Sequence, residues 1–236
     1  MSCIFASTSE DAPHDCGFDE ARAKLVHLMI PYARNVALVR AKLAQLRPTQ
    51  FSVGYAEVEL KAAEWKKMKK KQRQQALESH VFPAVLGLDD AYFIVDHHHL
   101  GIALIEQGMK EVWVTQLDDM SWLEPAIFWR TLEFRAWTHP YDHRGRRRDY
   151  ADMPRKLTQL QNDPYRSLAG LVRMSGGYAK DTAPFSEFLW ADYFRPRVGA
   201  RLIAGQQSRA TRIGVKLARS KDARYLPGWI GKSALG

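Results

Sequence analysis

One acid and three consecutive histidines, Asp96-His97-His98-His99, follow directly on the apolar run Tyr92-Phe93-Ile94-Val95, and apolar residues resume at Leu100, Ala103 and Leu104. The pattern reads as a buried strand turning straight into a helix that ends near Gly108. Such a turn puts its polar residues at a helix N-terminus, where free backbone N–H groups and the helix dipole attract anions, phosphate above all. His97, His98 and His99 are therefore candidate phosphate-binding groups. Asp96 and His98 are candidate catalytic groups, because an imidazole titrates in the range useful for general acid–base chemistry. Neighbouring residues point in different directions, so adjacent histidines rarely supply a metal's geometry together. Asp96, one histidine and the distant His80 could form a partial site. The plain structural alternative is one histidine buried against backbone and the others exposed.

Glu57 and Lys61 form a second pair at a spacing of four. On a helix they meet across one turn, either as an ordinary surface ion pair or as a base (or metal-holding carboxylate) beside a phosphate contact. Arg166 follows Asp163-Pro164-Tyr165 at an expected helix start, with Asp163 as the natural N-cap. Arg166, Tyr178 and Lys180 are candidates for the far wall of the same cleft. The net charge of +9 is unevenly spread. Residues from Arg201 onward carry eight Lys/Arg against one acid, Asp222, and Arg144, Arg146, Arg147 and Arg148 form a second cluster. Both are candidates for contact with nucleic acid. The lysine run at 66–71 lies in an expected charged helix between Glu64 and Glu78 and reads as a solvated face.

The elements that must position these groups are mixed. Residues 1–20 read as a tail and 21–47 as a helical segment, since Leu25, Leu28, Met29, Tyr32, Val36, Val39, Leu43 and Leu46 recur at helical spacing. Residues 48–120 alternate short strands and helices, including a hairpin of Phe82–Gly87 and Tyr92–Val95, a helix over Leu100–Gln107 and a strand over Val112–Leu117. That order fits a small α+β domain. Residues 121–197 read as a helical, aromatic-rich extension, with Ser121 and Glu124 in capping-box spacing and Phe128, Trp129, Leu132, Phe134 and Trp137 as core. Residues 198–236 read as a basic tail, helical around Ala210–Arg219.

The motifs Pro48-Thr49-Gln50, Val53-Gly54, Glu57-Val58, Lys61, His80, Pro83-Ala84-Val85 and Asp96–His99 occur in that order. Asp163–Ala169, Gly176-Gly177-Tyr178 and Phe185–Phe188 follow them. Over roughly residues 47 to 197 this series resembles the ParB-like nuclease family, a branch of the ParB/sulfiredoxin fold group. The resemblance implies a small mixed sheet with helices, followed by a packed helical extension. It also implies phosphoryl chemistry at the Asp96–His99 turn on a nucleotide or another phosphate ester, transferred or hydrolysed, with Mg²⁺ and a nucleoside di- or triphosphate as the expected cofactors. DNA binding or nuclease action through the basic segments is the alternative. The chain departs from the fold group's phosphate box: His97 stands at its glycine position and Leu100 at its arginine position, which removes a bidentate phosphate donor.

At 236 residues the chain can bury a full core. It has no apolar run of membrane-spanning length, and its first residues lack the pattern of a secretory leader. Cys3 and Cys16 are its only cysteines and suggest no disulfide framework, so a cytoplasmic setting is expected.

Overall fold

A computed structural model describes residues 37–231. Its centre is a four-stranded sheet of order β1-β5-β3-β4, made of β1 (Ala37–Lys42), β3 (Phe82–Leu86), β4 (Tyr92–Ile94) and β5 (Glu111–Asp119). β3 and β4 form the expected antiparallel hairpin, β3 and β5 run parallel, and β1 closes the far edge antiparallel to β5. A separate parallel pair joins β2 (Ser52–Val53) to β6 (Gln161–Asn162).

Both faces of the sheet are covered. Phe82 and Ala84 of β3 point to one side, where α1 (Tyr55–Lys67) and α3 (His98–Glu106) bury Val58, Ala62, Trp65, Ile102 and Leu104. Val85 and Leu117 point to the other side, onto Phe128, Trp129 and Leu132 of α4 (Pro125–Phe134). This alternation is the period-two geometry of strands. A second core belongs to the C-terminal helices α5 (Pro164–Met174), α6 (Ser186–Phe194), α7 (Ala200–Gly205) and α8 (Gln207–Ala218), around Leu168, Trp190, Phe194 and Ala210. Gly54 joins the two halves: a Cβ there would lie 2.7 Å from the Ser167 backbone nitrogen. The architecture is α+β, with eight helices among the described residues.

Several local expectations need correction. The helix expected up to residue 46 is a strand over Ala37–Lys42, paired residue for residue with β5, and residues 21–36 lie outside the described part. Tertiary pairing with the central strand overrides the helical spacing at Ala37–Lys42, and Leu43–Gln45 forms only a short 3-10 turn. The single charged helix expected over 62–78 is two, α1 and α2 (Lys70–Ser79), broken where Met68 turns extended. Ser121 does not cap α4. Its backbone N–H and its hydroxyl both donate to Asp119, and the helix starts instead at Pro125, whose ring presets the helical φ. Phe134 is 77% exposed rather than core. The segment from Val198 to Gly231 is not a loose tail, because Val198, Ile203, Ala210, Ala218 and Leu226 are buried in the second core. The expectations for Cys3 and Cys16 lie outside the described residues. Among the described residues no helix is long and apolar enough to cross a membrane.

Candidate functional site

The strand-to-helix turn is present as read. β4 ends at Ile94, His97 takes a left-handed conformation (φ 65°), and α3 begins at His98. That conformation is unfavourable for a residue other than glycine and is found at constrained sites. The Asp96 carboxylate accepts a 2.6 Å hydrogen bond from the His97 backbone N–H. Crowding by protein pushes the Asp96 carboxyl up, but His97, its N–H, His98 and His99 together hold it below the usual carboxylate range.

The three imidazoles divide. His98 and His99 point inward and are buried. Nε2 of His98 accepts the Thr49 backbone N–H (3.2 Å), and Nε2 of His99 accepts that of Gly54 (3.1 Å). An accepting Nε2 places the ring proton on Nδ1. Burial lowers the His98 pKa to about 3 and that of His99 well below the ordinary value, so both rings are neutral. They clamp the Thr49–Gly54 segment onto α3. Nε2 of His98 and His99 therefore cannot donate to a phosphate. Thr49 is tied on its other atoms too: its hydroxyl donates to the Ile94 carbonyl, and its carbonyl accepts from the Thr138 hydroxyl. His97 stays at the surface side of the turn, its ring edge-on to Phe82 (5.6 Å) and 6.4 Å from that of His80. Burial lowers its pKa against the opposing pull of Asp96, and the nearby His80, Lys61 and Lys180 lower it further.

Glu57 and Lys61 face this turn from the first two turns of α1, Nζ to Oε1 3.8 Å. Oε2 of Glu57 lies 3.8 Å from Nε2 of His99, which is neutral, so this contact is not an ion pair. The same oxygen is 3.4 Å from Nη2 of Arg166, which reaches across from α5. Arg166 is 6% exposed and also pairs with Glu187 of α6, itself bonded to Arg173. Nε and Nη1 of Arg166 have no hydrogen-bond partner among the described residues. Asp163 caps α5 as expected, accepting from the Tyr165 N–H, and is held by Arg195 at 2.9 Å.

Residues from five separate stretches thus come together: Glu57 with Lys61, Asp96–His99, Arg166, Lys180 and His80 lie around one site, where the first turn of α3 meets α1 and α5. Tyr178 does not line it. Its ring is buried against Trp190 (4.1 Å) and its hydroxyl donates to the Ala169 carbonyl. Sequence reasoning reached Glu187 only as part of the Phe185–Phe188 motif, with no role, and missed His139 and Arg195, because the roles of all three arise from contacts between distant segments. A cavity of ≈ 720 Å³ lies elsewhere, at the β1 edge beside Arg40, Arg47 and Lys156, and contains none of the candidate residues. A small pocket of ≈ 100 Å³ borders Lys61, His80 and Leu100.

The basic segment folds as a tight hairpin. Tyr141 bridges to Arg147, Gly145 takes φ 74°, and the Asp142 carboxylate accepts the N–H groups of Arg144 and Arg146. Nη1 of Arg195 donates to the His143 carbonyl and ties the hairpin to the helical half. Arg147 is paired with Glu133 and Arg148 with Asp152, whereas Arg144 and Arg146 make no ion pair among the described residues.

Among the described residues no three His, Cys, Asp or Glu side chains stand together as ligands. Nδ1 of His80, one of the expected ligands, is hydrogen-bonded to the Ala76 carbonyl, an arrangement that leaves its Nε2 outside that bond.

The class the structure defines is an α+β fold with a small mixed sheet, in which the strand-to-helix turn faces the Glu57 carboxylate and the buried Arg166 guanidinium. A family model described as "Putative ParB-like nuclease" matches residues 39–196, and the chain belongs to that family. The crystal structure of protein Atu1540 from Agrobacterium tumefaciens is similar at 41% identity and a TM-score of 0.77, covering 84% of this chain and 100% of that one. No curated protein matches the chain.

Proposed function

We propose that this protein hydrolyses phosphate diesters of nucleic acid at the site where Glu57, the Asp96–His99 turn and Arg166 come together. The observation that carries the reading is Glu57. It is a partly open carboxylate met by Lys61 from its own helix and by Arg166 from the other half. Phosphoryl transfer needs positioning and charge neutralisation more than covalent assistance. In this reading a phosphate lies against the first turn of α3, where no acceptor for the His98, His99 and Leu100 backbone N–H groups is found among the described residues. Glu57 takes the proton of the attacking water as its oxygen bonds to phosphorus. The ester P–O bond breaks, the departing oxygen takes a proton from Lys61, and Arg166 offsets the charge on the equatorial oxygens. Asp96 and His97 shape the turn, Lys180 adds positive charge at its mouth, and His98 and His99 hold the wall in place. No step runs through a metal. The family membership and the two hairpin arginines without an ion pair among the described residues, Arg144 and Arg146, support nucleic acid as the substrate.

A second reading, a nucleotide-dependent phosphotransferase, draws on the same first turn of α3. Incubation with supercoiled DNA, RNA and an aryl phosphate diester, with Mg²⁺, Mn²⁺ or chelator, tests the first reading. A thermal-shift series with ATP, ADP, CTP and GTP tests the second. Cleavage supports hydrolysis. A saturable nucleotide shift without cleavage would replace hydrolysis by phosphotransfer.

A further inference from the structure

Phe188 carries Arg166 on its ring, with the guanidinium carbon 5.5 Å from the centroid. His139 stacks on the same phenyl ring, centroids 3.9 Å apart and planes within 21°. His139 in turn meets Tyr141 at 5.0 Å and Phe185 at 5.3 Å, and Arg147 lies 6.0 Å from the Tyr141 ring. A continuous ladder of rings and guanidinium groups therefore runs from the basic hairpin to the Arg166–Glu57 pair.

Three features distinguish this ladder from ordinary core. Tyr141 is 36% exposed and Phe185 is partly open, so its steps reach solvent. Phe185 is held at φ 58°, a strained conformation for an aromatic residue. Nδ1 of His139 is buried with no partner among the described residues, so a polar atom there is left for something to bond. Burial lowers the His139 pKa to about 3, which leaves a neutral ring able to accept or donate one hydrogen bond.

We infer that the Tyr141–His139–Phe185 ladder is a stacking track for the bases of a single-stranded nucleic acid. Its phosphates follow Arg144 and Arg146 toward Arg166 and Glu57. Bases in a duplex are stacked on one another and closed to protein rings, whereas unpaired bases stack freely on aromatic faces. The inference rests on the proposed phosphodiesterase reading and names its substrate class.

Anisotropy of labelled oligothymidylate, oligouridylate and a duplex of the same length, titrated with the full chain, tests it. The single strands should bind more tightly than the duplex, and comparing the two separates DNA from RNA. Y141A and F185A should each weaken single-strand binding about tenfold while leaving duplex binding unchanged. Y141L, which keeps bulk at an exposed position and removes the π face, should behave as Y141A does. R144A and R146A should each flatten the salt dependence of single-strand binding by about 0.7 in log–log slope. If single strand and duplex bind alike and Y141L binds as wild type does, the track is refuted, while cleavage of the aryl diester would keep the active-site reading intact. No binding of any nucleic acid at low salt, with no diester cleavage, overturns both.

Discussion

Replacing His98 by glutamine should make the protein less sensitive to acid. In the fold His98 is 3% exposed, accepts the Thr49 N–H and has a pKa of about 3 through burial, with Asp96 pulling the other way. In the unfolded chain its pKa returns to about 6.5. Between those values the unfolded chain binds the proton and the folded one does not, so stability is fully present above pH 6.5 and is lost as pH falls toward 3. The slope is about 1.4 kcal/mol per pH unit for one such group. At pH 5 His98 costs about 2 kcal/mol, and His139, also lowered to about 3 by burial and then by Arg166, costs about the same. His99 acts in the same direction. About 4 kcal/mol from the first two is a large part of a typical domain stability of about 5–15 kcal/mol. Glutamine carries an oxygen close to the position of Nε2 and can still accept from Thr49, but it does not titrate. Urea unfolding of wild type and H98Q from pH 7 to pH 4 measures the difference. The wild type should lose stability more steeply, by about one proton's worth, or about 1.4 kcal/mol per pH unit. Parallel pH profiles would refute the assignment of a buried, neutral His98.

Three further outcomes follow from the packing. G54A should separate β2 from α5, because the added carbon meets the Ser167 nitrogen at 2.7 Å and the Arg166 carbonyl carbon at 2.9 Å, both backbone atoms. A drop in melting temperature with loss of cleavage checks it, and wild-type values would contradict the close approach. R166M should remove the cation shared by Glu57 and Glu187, each of which keeps a second partner in Lys61 or Arg173, and cost about 1.5–3 kcal/mol in chemical denaturation. R195A should leave Asp163, 1% exposed, without its ion partner and free the basic hairpin from the helical half, again destabilising by about 3 kcal/mol. Unchanged hydrogen exchange at residues 142–146 in R195A would show that the Arg195–His143 bond does not hold the hairpin.

The parts legible in the sequence are those set by local physics. The apolar run ending at Asp96 could only be a strand meeting a turn, the Asp163-Pro164 start could only cap a helix, and the spacing of Glu57 and Lys61 placed them on one helix face. The parts not legible depend on partners far along the chain. β1 exists because β5 pairs with it, and its own residues satisfy a helical pattern equally well. The direction of the His98 and His99 rings is set by backbone N–H groups 49 and 45 residues away. Arg166 was visible as a candidate, but its meeting with Glu57, 109 residues distant, was not, and neither was the bridge through Glu187. The basic C-terminal segment read as a tail because its cations dominate its composition, while the small residues Ala210, Gly214 and Ala218 that let α8 pack closely carry little hydropathic signal.

Cleavage of a phosphate diester substrate by wild type and E57Q, compared at equal folded concentration, tests the central claim most directly. The glutamine keeps the shape of Glu57 but cannot take the proton of the attacking water, so the account predicts cleavage by the wild type and a rate lower by about 10²–10⁴-fold in E57Q, with the melting temperature little changed. Cleavage by E57Q at the wild-type rate would contradict the assignment of Glu57 and its surroundings as the active site.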